Sequence, residues 1–451
     1  MLRRQIYDQF KEQILSGKLR AGEALPSTRA LSQTMGISRS TVVEAYDMLI
    51  SEGFLTSSQG APTRVAEGLV MESPTIAPMF ACNVQKPILR ADFRTGRPDL
   101  REFPFQTWKQ CLFRGAASIP TRQYGYADCQ GLPELRTEIS AWLMRSRGFL
   151  VDPADLFITA GATHALHLLA SLLCRKGKKV LVEDPCHSGM RRALQDQGCE
   201  AVPIPVDDQG MQTDRIADGA DACAVYVTPS HQFPLGGILP ATRRAALIRF
   251  ARAHDLYIIE DDYDSEFRYV GAPIAPLYTM DAQRVLYVGT FSKTVFPALR
   301  IGYAVLPKQL QAAWREQRMV MDVQNPPFEQ AALAEFLKTR KLDRHIYNMR
   351  KLYGKRRQAL LAALEDSFGD GLRPRGDAAG LHVAIDFPDK RFDEIFTRRC
   401  DAAGILVTPL ESHCIRKGGY ENTLVLGYGH LDHEGIRAGV GLLKETMDYG
   451  S

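Results

Sequence analysis

Val285-Leu286-Tyr287-Val288-Gly289-Thr290-Phe291-Ser292-Lys293-Thr294 is an apolar run that ends in small and hydroxylated residues around one lysine. The four leading apolar residues read as a buried strand, and Pro297 marks the turn that follows. Taken alone, Lys293 reads first as a surface lysine in a polar turn. A lysine at a strand end, flanked by Thr290 and Ser292 and followed by Arg300, also suits a Schiff base with pyridoxal phosphate. The amine condenses with the aldehyde while the hydroxyls and the guanidinium hold the phosphate.

Two stretches upstream bear on that choice. Leu256-Tyr257-Ile258-Ile259 reads as a second buried strand, and Glu260-Asp261-Asp262-Tyr263-Asp264 follows at its C-terminal end. Open α/β sheets gather ligand-binding residues at that end of their strands. Asp261 is the expected partner of the pyridoxal ring nitrogen, because a facing carboxylate keeps it protonated and the ring an electron sink. Tyr263 is the expected donor to the ring phenolate; the alternative is a solvated acidic loop. Earlier still, residues 157–166 read as strand, turn and helix, with Gly161, Ala162 and Thr163 in the turn. Free amides at a helix start suit a phosphate. Further strands are expected at 180–182 and 222–227, with a helix at 243–254. This alternation predicts a parallel, mostly buried sheet. From about residue 310 a smaller α+β part is expected, with a helical run around 328–342 and a long basic helix at 342–364 whose charges face solvent.

The N-terminus carries a different pattern. Ile6, Phe10, Ile14 and Leu15 form a helical apolar stripe. Ser27 predicts a helix cap, with Leu31 turned inward. Met35-Gly36-Ile37-Ser38 reads as a tight turn, and Ser38 caps a second helix that buries Val42, Ala45, Tyr46 and Leu49. That is a helix–turn–helix, with Arg39, Ser40, Thr41 and Glu44 at the outward start of its second helix. Residues 53–55 and 63–65 predict a hairpin wing around Gly60. Arg39, Ser40 and Thr41 are expected in the major groove of double-stranded operator DNA, and Arg29 and the Gly60 wing on its backbone.

The two halves resemble two known families. Leu25-Pro26-Ser27-Thr28-Arg29 and Ser38-Arg39-Ser40-Thr41-Val42 resemble the winged helix of GntR-type regulators. Residues 93–451 resemble a fold-type I aminotransferase domain, and the fusion resembles the MocR subgroup of GntR regulators. The resemblance implies a mainly α winged helix–turn–helix joined to an α/β aminotransferase-like domain with a smaller α+β subdomain. It implies domains at 1–66 and 93–451 with a linker at 67–92 containing Pro74, Pro78 and Pro87. Fully extended, such a linker spans roughly 85 Å. By the same resemblance Lys293 is the Schiff-base lysine, Arg300 the phosphate arginine, and Asp261 and Tyr263 the ring-nitrogen and ring-oxygen partners. His187 takes the ring-stacking place, His231 lies in the stretch that touches the ring oxygen, and Tyr126 reaches the phosphate of a partner subunit in a homodimer.

Two departures separate a regulator from a working enzyme. The ring-stacking place usually carries an aromatic such as tyrosine; an imidazole there offers less area and titrates near neutrality. Where aminotransferases place an arginine for the substrate carboxylate, Leu424-Val425-Leu426-Gly427 carries Val425, which cannot form a bidentate pair. Arg416, Lys417 and His430 are the nearby cations. The expectation is therefore a transcription regulator that senses pyridoxal phosphate, or an amine without a standard carboxylate such as a sulfonate, with at most a residual transamination half-reaction. The alternative is a functional aminotransferase with an accessory DNA-binding head.

Bulk properties agree with this reading without deciding it. The chain has 451 residues, a 45% hydrophobic share and a net charge of +4. Residues 1–66 carry eight Lys/Arg against six Asp/Glu, a difference of +2, so placement of motifs and not charge argues for DNA. Nine cysteines without CxxC spacing, and no signal peptide, predict a reduced cytoplasmic chain with no metal site. No apolar run approaches a membrane span.

Overall fold

A computed structural model describes residues 2–69, 89–174, 176–217, 221–376 and 379–448. The chain divides into two compact units, residues 1–85 and 86–451.

The first unit packs three helices and a two-stranded ribbon around its own core. Helix α1 (Leu2–Leu15) buries Ile6, Tyr7 and Ile14, while Phe10 is partly buried. Helix α2 (Thr28–Met35) starts where the Ser27 hydroxyl accepts the Ala30 N–H, and stops at Gly36 in the left-handed region at φ 65°. Helix α3 (Arg39–Ser51) starts where Ser38 accepts the Thr41 N–H, and buries Val42, Ala45, Tyr46 and Leu49. The Tyr46 hydroxyl donates to the Pro26 carbonyl at 2.9 Å, which ties α3 to the segment entering α2. Strands β1 (Leu55–Thr56) and β2 (Arg64–Val65) pair antiparallel. Gly60 lies between them at φ 82°, a conformation open to glycine at little cost.

Most of the expected linker, residues 70–88 with all three prolines, lies outside the described residues. Its end is not linker: Ala91–Asp92 form β3, which pairs parallel with β14 (Ile405–Leu406). A two-residue strand carries too little sequence pattern to be seen without its distant partner.

The second unit is built on an eight-stranded sheet. Helices α4 (Phe105–Ser118) and α5 (Pro133–Arg147) precede β4 (Leu156–Thr159), α6 (Ala162–Leu173), β5 (Lys179–Asp184), α7 (Ser188–Asp196), β6 (Glu200–Asp207) and β7 (Gly210–Met211). Then come β8 (Ala222–Val227), α8 (Ala241–Ala253), β9 (Tyr257–Asp262), β10 (Val285–Thr290) and β11 (Gly302–Val305). The strand order is β4-β11-β10-β9-β8-β5-β6-β7. Pairing is parallel from β6 through β10, but β11 runs antiparallel to both β10 and β4, and β7 antiparallel to β6. The expectation of a parallel sheet is corrected there. Residues 291–301 carry only a single short 3-10 turn, and a parallel return needs a crossover of a dozen residues or more. Strands β9 and β10 are covered on both faces, which is why they read as continuous apolar runs.

The remaining helices are α9 (Lys308–Met321), α10 (Pro327–Lys338), α11 (Lys341–Phe368), α12 (Glu394–Ala402) and α13 (His433–Asp448). The expected run through 342 is interrupted at Arg340, which adopts φ 58° before α11 begins. Strands β12 (Arg373–Arg375), β13 (His382–Asp386), β15 (Thr408–Pro409) and β16 (Thr423–Gly427) form an antiparallel sheet in the order β12-β13-β16-β15. This is the smaller α+β part. It begins later than 310, because α10 packs against α4 so tightly that a Cβ on Gly115 would stand 2.6 Å from Ala331.

Candidate functional site

The chain adds β5, β6 and β7 outward, then returns to lay β8, β9 and β10 on the other side of β5. Ligands bind at such a reversal, beyond the carboxyl ends of the strands. The residues that follow β5, β8, β9 and β10 line a cavity of about 250 Å³ there.

Lys293 lines this cavity, and its ammonium donates to the Gly96 carbonyl at 2.6 Å. Burial lowers its pKa, against the pull of Asp264 and Asp261, which favours the neutral nucleophilic amine. Asp261 lines the same cavity. One carboxylate oxygen accepts the Tyr226 hydroxyl at 2.8 Å; the other is buried without a partner. Burial raises the Asp261 pKa to about 6. A buried carboxylate with one open oxygen fits a protonated ring nitrogen.

A third corner suits a phosphate. Ala162 and Thr163 open α6, whose first amides have no helical partner. Arg300 lines the same corner and donates to the Ala160 carbonyl at 2.7 Å. Thr290 donates to Ser292 at 3.0 Å, and both hydroxyls line the cavity. Gly161 lies behind this corner and does not line it. Its φ is 86°, and a Cβ would stand 2.9 Å from the Arg300 guanidinium. Its part is to let the arginine approach.

His187 lines the cavity and caps α7, its Nδ1 accepting the Gly189 N–H at 3.2 Å. Burial, and then the charges of Lys293 and Arg191, lower its pKa to about 4, so it does not titrate near neutrality as expected. Tyr263 lines the cavity, but His231 sits behind it. The His231 Nδ1 is 2.9 Å from both the Tyr263 hydroxyl and Asp264 Oδ1. The cavity wall in that stretch is Phe233. Tyr126 is 93% exposed and outside the cavity of its own chain. Val425 is fully buried in an apolar cluster, and Arg416, Lys417 and His430 do not line the cavity.

Sequence reasoning missed Gly96, Tyr226, Phe233 and His382, all cavity-lining. Gly96 had a signal in Thr95-Gly96-Arg97-Pro98-Asp99, a turn-like stretch. Phe233 lies two residues after His231, within the stretch Thr228-Pro229-Ser230-His231-Gln232-Phe233-Pro234. Tyr226 and His382 sit within apolar strands and had none.

In the first unit, Arg39, Ser40 and Thr41 form the first turn of α3, with Arg39 and Ser40 exposed. Arg29 is exposed in the first turn of α2, and Gly60 is exposed in the wing. Glu44 is held by Arg3 at 2.7 Å.

Two family descriptions match the chain: "Bacterial regulatory proteins, gntR family" over residues 2–65 and "Aminotransferase class I and II" over residues 93–420. A probable rhizopine catabolism regulatory protein MocR of Rhizobium meliloti is 32% identical over 99% of this chain and 94% of its own. The HTH-type pyridoxine biosynthesis transcriptional regulator PdxR of Corynebacterium glutamicum is 33% identical over 99% of this chain and 96% of its own. The crystal structure of a multiple substrate aminotransferase from Thermococcus profundus superposes with a TM-score of 0.74 at 27% identity, covering 81% of this chain and 93% of that one.

Proposed function

The chain belongs to the MocR-type regulators of the gntR family, a DNA-binding head joined to an aminotransferase class I and II domain, and on that premise we propose that its second unit holds pyridoxal 5'-phosphate and uses it to sense a small molecule. The aminotransferase fold family depends on this cofactor. When bound, it supplies an aldehyde and an electron-withdrawing ring. Lys293 is the point of attachment. Arg300, Thr290, Ser292 and the α6 amides at Ala162 and Thr163 hold the phosphate, with Gly161 giving them room. Asp261 holds the ring nitrogen, Tyr263 the ring oxygen with His231 behind it, and His187 covers the ring face. The open oxygen of Asp261, in the cavity that Lys293 also lines, carries this reading.

The protein is a transcription regulator, and the effector is pyridoxal phosphate itself or a small amine. Efficient transamination requires the substrate's breaking bond to be held above the ring. Val425 contributes no cation to that task, being packed away from the cavity. Arg39, Ser40 and Thr41 read bases of double-stranded DNA, while Arg29 and the Gly60 wing touch its backbone. Two copies associate, and Tyr126 completes the partner's phosphate site. Exposed apolar side chains on the second unit, Phe113 at 78% and Val320 at 85%, support association. Among the described residues no helix is long and apolar enough to cross a membrane; binding to operator DNA is what supports a cytoplasmic reading.

The test is an absorbance titration with pyridoxal phosphate, followed by borohydride. The unchanged protein gains a visible band and a covalent adduct, and operator affinity changes with cofactor or amine while no keto acid accumulates. Lys293→Ala loses the adduct. An adduct that persists in Lys293→Ala refutes the site; brisk multiple turnover of a standard amino acid refutes the regulator-only reading.

A further inference from the structure

Three thiols meet at the end of the large sheet away from the cavity. Cys174 ends α6, Cys199 stands just before β6, and Cys223 is the second residue of β8. None of the three is in a disulfide. The Cys174 and Cys223 sulfurs lie 3.5 Å apart across 49 residues of sequence. The Cys199 thiol shares a hydrogen bond with Cys174.

The backbone explains why Cys223 meets Cys174. Lys179 of β5 sits opposite Ala222 and Val180 opposite Ala224, so the register slips and Cys223 has no partner on β5. It has none on β9 either, whose pairing with β8 begins at Ala224. An extra residue in a strand stays out of the ladder and re-aims its side chain. Here the Cys223 thiol reaches the Lys179 carbonyl at 3.3 Å as well as the Cys174 sulfur. A disulfide needs sulfurs about 2.05 Å apart, so closing this pair takes a movement of about 1.5 Å. At Cys223 that movement breaks no strand pairing.

The two thiols differ in the way that disulfide chemistry requires. Cys174 is 6% exposed, whereas Cys223 is partly open to water. A hydrogen bond from Cys174 is the first cause that lowers the Cys223 pKa, and Lys178 adds to it, against burial and Asp221. The same pairing, and then burial, raises Cys174. Cys223 is therefore the thiolate that an oxidant in water reaches, with Cys174 behind it.

We propose that Cys174 and Cys223 form an oxidation site, a dithiol that hydrogen peroxide or another small peroxide converts to a disulfide. The Cys223 thiolate attacks one peroxide oxygen. The O–O bond breaks, hydroxide leaves and takes up a proton as water, and Cys223 becomes a sulfenic acid. The Cys174 sulfur then attacks the Cys223 sulfur. The S–O bond breaks, the S–S bond forms, and the Cys174 proton leaves in a second water. Two thiols are oxidised and one peroxide is reduced; Cys199 is not consumed. The bond ties the end of α6 to the start of β8, and it does not depend on the cofactor reading.

The experiment treats the reduced full-length protein with a small excess of hydrogen peroxide, quenches with catalase, and alkylates in denaturant with a maleimide. Two of the nine thiols are lost to alkylation, and peptide mapping finds Cys174 joined to Cys223. Dithiothreitol restores the lost pair. The link forms at least about tenfold faster in the folded chain than in urea, as expected for reacting atoms held near one another. Cys174→Ser leaves Cys223 as a sulfenic acid that dimedone captures, Cys223→Ser leaves the buried Cys174 reduced, and Cys199→Ser forms the same disulfide. Survival of all nine thiols, a link that joins either cysteine to a different partner, or a rate no faster than in urea overturns the site. Dimedone capture on Cys174 in the Cys223→Ser chain overturns the assigned order of attack. The mapping and the rates are measured on the unchanged chain, so they decide even where a serine variant folds poorly.

Discussion

Single atoms decide much of the cavity. Gly96 is at φ 73°, and a Cβ there would stand 2.5 Å from the Lys293 ammonium. Gly96→Ala is therefore expected to push the Lys293 amine aside and, with alanine strained at this positive φ, to weaken pyridoxal phosphate binding. Absorbance titration measures it, and an unchanged affinity would show that the lysine has room to move. The buried histidines set a pH response. His187 and His382 are lowered to about 4 and His413 to about 3, each by burial first. The unfolded chain takes up these protons near pH 6.5, before the folded chain does. Their stabilising effect is thus present above about pH 6.5 and is lost as pH falls through the folded values. Asp261, raised to about 6, and Glu183 and Glu260, raised to about 7, act in the opposite sense. Those acids are common to both proteins when His413→Phe is compared with the unchanged chain. The variant should lose less stability between pH 7 and pH 5, measured by urea unfolding at the two values.

At the scale of elements, α3 and the strand ends do the presenting. The Ser38 cap fixes where α3 begins, and so places Arg39, Ser40 and Thr41 on its first turn. A base-reading contact supplies roughly 1–3 kcal/mol of discrimination, so Arg39→Ala should relax sequence preference among operator variants. Arg29→Ala should weaken binding to all sequences alike and lower the salt slope by about one. Gel-shift titrations on matched and mismatched DNA at several salt concentrations separate the two, and identical behaviour of the variants would refute the division of roles. These elements were legible because their signals are local. Ser27, Ser38 and Gly36 mark helix ends, and the leading residues of β9 and β10, 257–259 and 285–288, are apolar on both faces. Strand β11 was not singled out in the sequence, and its antiparallel direction depends on its neighbours β10 and β4, which no local pattern records.

At the scale of the molecule, the expected homodimer links the two sites. Phe113 is 78% and Val320 85% exposed, and on the homodimer reading the partner copy covers them. Phe113→Asp should shift the protein toward monomers in sedimentation. Because Tyr126 of one copy is expected at the phosphate of the other, cofactor affinity should fall with it. Full affinity in a monomeric variant would show that each cavity is complete within one chain.

The sequence by itself determined the two-part plan, the helix–turn–helix with its four buried α3 positions, and the gathering of Lys293, Asp261, Tyr263 and Arg300 at strand ends. It could do so because helix caps, apolar periodicity and strand-end chemistry are each written within a dozen residues. Only the tertiary structure placed Gly96 against Lys293, 197 residues apart. Only it set His231 behind Tyr263 and Phe233 in the cavity wall, removed Val425 into an apolar cluster, and brought His187, His382 and His413 around one phenyl ring. Those relations depend on which strands neighbour one another and which face a side chain takes, and both are decided by long-range packing.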